Sequence, residues 1–197
     1  MRTGSLSKVS YKRQTPDLCL AAVKEDGMQL RFVREKTPEI CLAAVARNGA
    51  ALQYVEKQTP ELCLAAVNCG PVYKKTERSG RYGTAIFEPA GTAIQYVENQ
   101  TPELCTAAIK QNPFALRYIK YQTHKLCMNA VKRDGRALEV VQRQTPEICM
   151  AAVRQNGEAL QYATEQTPEI CMAAVKKSGY ALMYVNNQTP EICMAAV

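Results

Sequence analysis

The amino-acid sequence predicts an all-α protein, an α-solenoid of tandem αα-hairpin repeats of 22 residues. Three features predict it: a recurring Thr-Pro-Glu opening, an Ala- and Cys-rich apolar segment after each opening, and a Gly-x-Ala-Leu-x-Tyr segment that completes the unit. The opening threonines are Thr15, Thr37, Thr59, Thr101, Thr123, Thr145, Thr167 and Thr189. Successive openings lie 22 residues apart, except that 42 residues, almost two periods, separate Thr59 from Thr101. We therefore expect nine units.

The first helix of each unit is predicted from its capping residues and its apolar content. In the unit TPEICMAAVRQNGEALQYATEQ, Thr145 is the N-cap, Pro146 the first helical residue and Glu147 a first-turn acid. These residues satisfy or complement the amide end of a helix. The segment ICMAAV is apolar on nearly every side, as is typical of a helix buried between neighbours.

A turn and a short second helix complete the unit. The turn is Asp, Asn or Ser followed by Gly in most units, and Asn112-Pro113 in one. Because proline cannot adopt a positive φ, we expect Asn112 to cap the second helix and Pro113 to begin it. In the other units a left-handed glycine closing the first helix is the alternative. A helix of about nine residues is marginal alone, so its stability must come from stacking on the next unit.

The nine cysteines do not indicate a disulfide scaffold. Eight of them occupy one equivalent position in successive units: Cys19, Cys41, Cys63, Cys105, Cys127, Cys149, Cys171 and Cys193. Packed helices lie about 8–10 Å apart, whereas a disulfide needs Cα atoms within roughly 7 Å. We therefore expect these residues, here called the cysteine ladder, to be small buried hydrophobes that neither bond nor converge on zinc.

One stretch, residues 68–90, loses the repeat pattern. One interpretation is an inserted binding loop that carries the basic cluster Lys74, Lys75, Arg78 and Arg81. The other is a degenerate unit, which we favour because the length of the stretch almost preserves the period. Apart from this irregularity, residues 14–197 are predicted to form a single α-helical repeat domain, preceded at 1–13 by a tail or partial cap.

No motif for catalysis, metal binding or cofactor binding is found, so we expect no enzyme and no cofactor. The chain has a single histidine, His124, without a histidine or clustered carboxylate companion. No apolar run approaches the roughly 20 residues that span a bilayer, and the N-terminus lacks a secretory h-region. We expect no membrane partner and an intracellular, cytoplasmic protein. The last unit ends after its first helix, which suggests truncation or self-association through that face.

Basic residues recur after the first helix and should form a row along one edge of the stack. The candidate interaction residues are Lys24, Arg47, Lys74, Lys75, Arg78, Arg81, Lys110, Lys132, Arg133, Arg154, Lys176 and Lys177. Helix-end electrostatics explains most of this row, which opposes a row of first-turn glutamates. The alternative is a track for nucleic acid, consistent with the net charge of +7.

Within the chain, the framework positions hardly vary whereas the exposed ones do. Gln53, Arg117, Glu139 and Met183 are equivalents. Such variation is typical of a repeat surface adapted for recognition, so a non-enzymatic scaffold for protein partners is the leading hypothesis. Nucleic-acid binding and a structural role in a virion are the alternatives.

The combination QTPEICMAAV with NG-x-ALQYV, from Gln14 to Val197 apart from residues 68–90, resembles an uncharacterised family of short helical repeats. This family is the domain of unknown function 4116, found in giant DNA viruses and in bacteria. The resemblance implies an intracellular repeat protein of viral origin, located in the host cytoplasm or the virion. It implies no catalytic residue.

Overall fold

The computed structural model describes residues 6–75 and 85–197, and it confirms the all-α repeat architecture. Within these residues eight α-helices each follow an opening threonine. They are α1 (Pro16–Glu25), α2 (Pro38–Arg47), α3 (Pro60–Asn68), α4 (Pro102–Gln111), α5 (His124–Arg133), α6 (Pro146–Gln155), α7 (Pro168–Lys177) and α8 (Pro190–Ala195). We number the repeats 1 to 8 by these helices.

The predicted caps are present at each α-helix. The hydroxyl oxygen of the opening threonine accepts a hydrogen bond from the backbone amide three residues later, as between Thr145 and the amide of Ile148 at 3.4 Å. Seven of the eight helices have proline in the first turn, and α5 has His124 there instead. The N-cap thus uses one of the amide groups that a helix start leaves without an intrahelical partner.

In repeats 1 to 7 the second helix is a 3₁₀ helix of five or six residues, not the α-helix that the hairpin pattern predicts. These helices are Gly27–Phe32, Gly49–Tyr54, Thr92–Tyr96, Pro113–Tyr118, Gly135–Val140, Gly157–Tyr162 and Gly179–Tyr184. A segment of five or six residues can form more hydrogen bonds of the i to i+3 type than of the i to i+4 type. The 3₁₀ helix of repeat 4 begins at Pro113, as predicted.

The turn glycines are needed for close approach rather than for a left-handed backbone. Among the described residues only Gly91 has a positive φ, 77°. A Cβ added to Gly135 or Gly157 would lie 2.5 Å from the carbonyl oxygen of Ala152 or Ala174 in the next repeat. The structure therefore decides against the left-handed alternative and explains why a residue without a side chain stands there.

Between α3 and the 3₁₀ helix Thr92–Tyr96, the described residues form a pair of strands and not the helices of a repeat. After α3, strands β1 (Val72–Lys75) and β2 (Ala85–Glu88) pair antiparallel, with Val72 opposite Glu88. Helix α3 packs directly on α4, and the 3₁₀ helices Gly49–Tyr54 and Thr92–Tyr96 pack on each other. The described residues thus hold eight α-helices that follow an opening threonine, and residues 76–84 of the irregular stretch lie outside the described residues. The predicted count of about nine units stays a prediction.

By backbone proximity the chain divides into two units, Met1–Asn112 and Pro113–Val197. The organisation of residues 14–197 as one domain stays a prediction. In the first unit, residue Leu6 is buried and its amide donates to Gln29 Oε1 at 3.0 Å. The segment after residue 5 thus lies against the first repeat, as a partial cap would.

The core is built from small side chains at the same positions in each repeat. In repeat 6 these are Ile148, Cys149, Ala152 and Val153 of α6, together with Leu160 of the 3₁₀ helix. They are buried against the neighbouring repeats, and α6 packs against both α5 and α7. Each hairpin is therefore stabilised mainly by its neighbours.

Candidate interaction surface on the α-helices

The outward side of the α-helices in the second unit carries a row of methionines. They follow the ladder cysteine in each helix: Met128, Met150, Met172 and Met194. The first three are partly exposed, and Met194 is 72% exposed. Since α5, α6, α7 and α8 are successive neighbours, these side chains form one apolar stripe, here called the methionine row.

The helical period places a cation beside three of the four methionines. Lys132, Arg154 and Lys176 lie four residues after Met128, Met150 and Met172, and therefore on the same side of the helix, one turn further on. All three cations are exposed. None of them takes part in the ion pairs found between described residues. We call them the basic row.

A shallow groove joins the two rows between α5 and α6. It has a volume of about 460 Å³ and is lined by Met128, Lys132, Glu147, Met150, Ala151 and Arg154. Flexible, polarisable methionine side chains suit adaptable apolar contacts. The groove therefore offers an apolar floor with cations at one end.

The acidic side chains at the other end of these helices are exposed and lie near groups at the helix starts. Glu147 Oε2 lies 3.4 Å from His124 Nε2. The pKa of Glu169 and that of Glu191 are lowered by hydrogen bonds from their own backbone amides and from the hydroxyls of Thr167 and Thr189. Both carboxylates thus turn back on the amide end of their own helix.

The first unit has an apolar row with a matching cation in repeat 1 but not in repeats 2 and 3. Leu20, Leu42 and Leu64 hold the positions of the methionines, and Leu64 is 45% exposed. Lys24 follows Leu20 by four residues, whereas repeats 2 and 3 have Ala46 and Asn68 where the second unit has Lys or Arg. A cation beside the apolar residue in three successive repeats is therefore a feature of the second unit.

Two of the other predicted basic residues, Lys24 and Lys110, hold in the first unit the repeat position of the basic row. Lys24, Arg47 and Lys110 are exposed at the carboxyl ends of α1, α2 and α4. Arg47 has a structural contact, since its Nε donates to the Glu25 carbonyl of the preceding helix at 3.3 Å. Arg133 and Lys177 are exposed next to the basic row.

The predicted basic cluster of residues 68–90 is described only in part. Lys74 and Lys75 belong to β1, with Ile86 and Ala85 opposite them in β2. Arg78 and Arg81 lie outside the described residues.

The variable positions of the 3₁₀ helices are exposed, as predicted. Gln53 in the first unit, and Arg117, Glu139 and Met183 in the second, are all exposed. Arg117 Nη2 and Glu139 Oε1 lie 3.3 Å apart and link neighbouring repeats. This pair of variable residues therefore contributes to the packing of one repeat on the next, in addition to any contact with a partner.

Glutamines that precede the opening threonine join neighbouring repeats, a feature that the sequence reasoning missed. Gln144 Nε2 donates to the Tyr162 carbonyl of repeat 6 at 2.8 Å and to the Leu138 carbonyl of its own repeat at 3.3 Å. Its Oε1 accepts from the Thr164 amide at 3.0 Å and from the Cys149 thiol at 3.4 Å. Equivalent bonds to the following repeat are made by Gln14, Gln58, Gln122 and Gln166. We call this set the glutamine ladder.

The ladder has one substitution, Lys36 in the first unit. Its ammonium group lies 3.7 Å from Glu56 Oε1 and takes the place of the amide. Lys36, Val55 and Leu62 line a groove of about 710 Å³ between repeats 2 and 3.

The environment of the cysteine ladder disfavours the reactive thiolate form. All nine cysteines are free, in agreement with the prediction that they do not bond, and all but Cys69 and Cys193 are buried. Burial raises the pKa of the thiols at Cys19, Cys41, Cys63, Cys105, Cys127, Cys149 and Cys171. A thiol is a poorer nucleophile than a thiolate. Among the described residues no group of three or more His, Cys, Asp or Glu side chains could hold a metal ion.

Comparison with known proteins finds one similarity. Residues 124–167 and 145–189, together about a third of the chain, match the family described as Domain of unknown function (DUF4116). No curated protein and no solved structure matches the chain. Within the described residues no helix has the length and apolar character needed to cross a bilayer.

Proposed function

We propose that this chain is a non-enzymatic repeat scaffold that binds protein partners on the outward side of its α-helices. The observation that carries the proposal is the methionine row, an apolar stripe that is partly exposed in each repeat of the second unit. A polar residue at these positions would avoid the exposure of an apolar side chain to solvent. Contiguous exposed apolar surface with a polar rim is characteristic of interaction sites. The family resemblance adds a viral, cytoplasmic setting to the proposal.

The test is capture of partners from cells that express the full chain, comparing the natural protein with Met128→Gln/Met150→Gln/Met172→Gln. These substitutions keep side-chain length and remove apolar character, so the thermal unfolding midpoint should change by no more than about 3 °C. We expect a set of proteins that nuclease treatment does not release and that the triple variant does not capture. Equal capture by both chains would overturn the proposed surface.

Nucleic-acid binding is the second candidate because the basic row extends over three successive helices, with Arg133 and Lys177 beside it. Neutralised phosphates release counterions, so affinity for an oligonucleotide would fall by orders of magnitude between about 50 and 200 mM salt. Fluorescence anisotropy with a single-stranded and a duplex oligonucleotide measures this directly. An affinity weaker than about 100 µM at 50 mM salt would eliminate this candidate.

A further inference from the structure

We propose that the partner segment is an acidic amphipathic helix that lies across α5, α6 and α7, with its apolar side chains on the methionine row and its carboxylates on the basic row. The inference rests on the proposed function and specifies the partner for the same surface. It follows from charge, spacing and the contrast between the two units.

The charges on this surface are unequally distributed. Glu147 faces His124, and Glu169 and Glu191 accept hydrogen bonds from the amide ends of their own helices. Lys132, Arg154 and Lys176 have no such ion pair among the described residues, and all are exposed. The cations lie together at the carboxyl ends of α5, α6 and α7, whereas the acids lie in the first turns at the opposite ends. A segment that lies along the basic row therefore meets positive charge, which favours an acidic partner.

The apolar contacts require side chains that reach a groove. Met128 and Met150 line the groove of about 460 Å³ between α5 and α6. Neighbouring packed helices lie about 8–10 Å apart, and residues i and i+7 of an α-helix lie about 10.5 Å apart along its axis. A helix with apolar residues every seven positions would thus place one of them near each successive methionine. This is the helix-in-groove mode of recognition.

The first unit supplies an internal comparison. Leu42 and Leu64 repeat the apolar element of the surface, but Ala46 and Asn68 replace the cations. The same helix should therefore bind the second unit in preference to the first.

A nucleic acid would use the same cations but not the groove. Its phosphates offer no apolar group to Met128 and Met150, which line the groove beside Lys132 and Arg154. If the cations alone determined binding, a peptide without apolar residues would bind as tightly as an amphipathic one. This difference separates the two classes of partner.

The experiment uses the full chain and fluorescein-labelled probes in anisotropy titrations. One probe is an 18-residue helix with leucine at the apolar positions and glutamate beside them. A second has lysine for each glutamate, a third has serine for each leucine, and the fourth is a 20-nucleotide oligo-dT. We expect the acidic amphipathic probe to bind at least about 10-fold more tightly than the second and third probes, and its affinity to weaken as salt rises.

Matched variants locate the site. Arg154→Gln/Lys176→Gln removes two charges from the basic row, and Lys125→Gln/Arg143→Gln removes two charges from exposed residues near the helix starts. We expect the first pair to weaken binding of the acidic probe about 10-fold, equivalent to about 1.4 kcal/mol. The second pair should change it less than about 2-fold.

The outcomes separate this inference from the proposed function. Preference for the lysine probe would overturn the acidic partner while leaving protein binding in place. Binding of oligo-dT alone would count against both. Absence of binding by all four probes up to about 100 µM would overturn the inference, and capture of proteins by the methionine row would still be decided by its own experiment.

Discussion

Replacing Gln144 with alanine removes the side chain that joins repeat 5 to repeat 6. Two short hydrogen bonds to repeat 6 are lost, to the Tyr162 carbonyl at 2.8 Å and from the Thr164 amide at 3.0 Å. Three longer bonds are lost as well, to the Leu138 carbonyl at 3.3 Å and from the Thr164 hydroxyl at 3.3 Å and the Cys149 thiol at 3.4 Å. At roughly 1 kcal/mol for each of the two short bonds and less for the longer ones, Gln144→Ala should lower the free energy of unfolding by about 2–3 kcal/mol.

Gln188→Ala is the matched control. Gln188 makes its bond to the Leu182 carbonyl at 2.9 Å within its own repeat. Its loss should cost about 1 kcal/mol. Urea unfolding followed by circular dichroism measures both values. If Gln144→Ala costs no more than Gln188→Ala, the bonds to the next repeat contribute nothing and the reasoning about the glutamine ladder is wrong.

Three further predictions concern other parts of the stack. Lys36→Gln places an amide 18 residues before the Tyr54 carbonyl, as in the glutamine ladder, so the free energy of unfolding should rise by about 1 kcal/mol. Urea unfolding measures this value, and a free energy below that of the natural protein would contradict the prediction. Deletion of residues 70–89 leaves a 22-residue repeat, and circular dichroism should show full helicity with a midpoint within about 3 °C; loss of cooperative unfolding would show that these residues are structural. Burial raises the pKa of the ladder thiols in the folded state, so their contribution to stability is present below about pH 8.5, the unfolded pKa, and is lost as pH rises through the folded pKa. As the pH is raised from about 8 to about 10, the thermal unfolding midpoint should therefore decrease, and it should decrease less in Cys149→Val/Cys171→Val. An equal decrease in the natural protein and the variant would contradict the thiol explanation.

The caps and the core could be predicted because they depend on residues close together in sequence. Thr145 accepts from an amide three residues away, and Cys149, Ala152 and Val153 share one side of a single helix. Local geometry fixes these contacts whatever the rest of the chain does. The same holds for the proline start of the 3₁₀ helix at Pro113.

The type of the second helix could not be predicted, because the Gly-x-Ala-Leu-x-Tyr pattern is too short to distinguish a period of 3.0 from 3.6. The strand pair could have been found. Val72, Tyr73, Ile86 and Phe87 are residues that favour strands, and the excess of 20 residues over one period allows a hairpin as readily as a shortened repeat. The almost preserved period, on which the degenerate-unit interpretation was based, was a weaker signal than these strand-favouring residues.

The glutamine ladder and the methionine row were hidden for another reason. Gln144 bonds with residues 18 and 20 positions later, so its role depends on how one repeat lies on the next. Met150 follows a buried cysteine within an apolar segment, and only the packed structure shows that its side chain is partly exposed. The basic residues were visible in the sequence, but it did not show that Lys132, Arg154 and Lys176 take no part in the ion pairs found between described residues.

Site-specific photo-crosslinking in expressing cells tests the proposed function most directly. A photoreactive amino acid at Met150 reports on the methionine row, and the same group at Gln161 reports on the exposed side of the 3₁₀ helix in the same repeat. Discrete protein adducts at Met150 that resist nuclease, and far fewer at Gln161, are the predicted result. Adducts at Met150 that consist of nucleic acid, or equal labelling at both positions, would contradict a scaffold that recognises proteins through its α-helices.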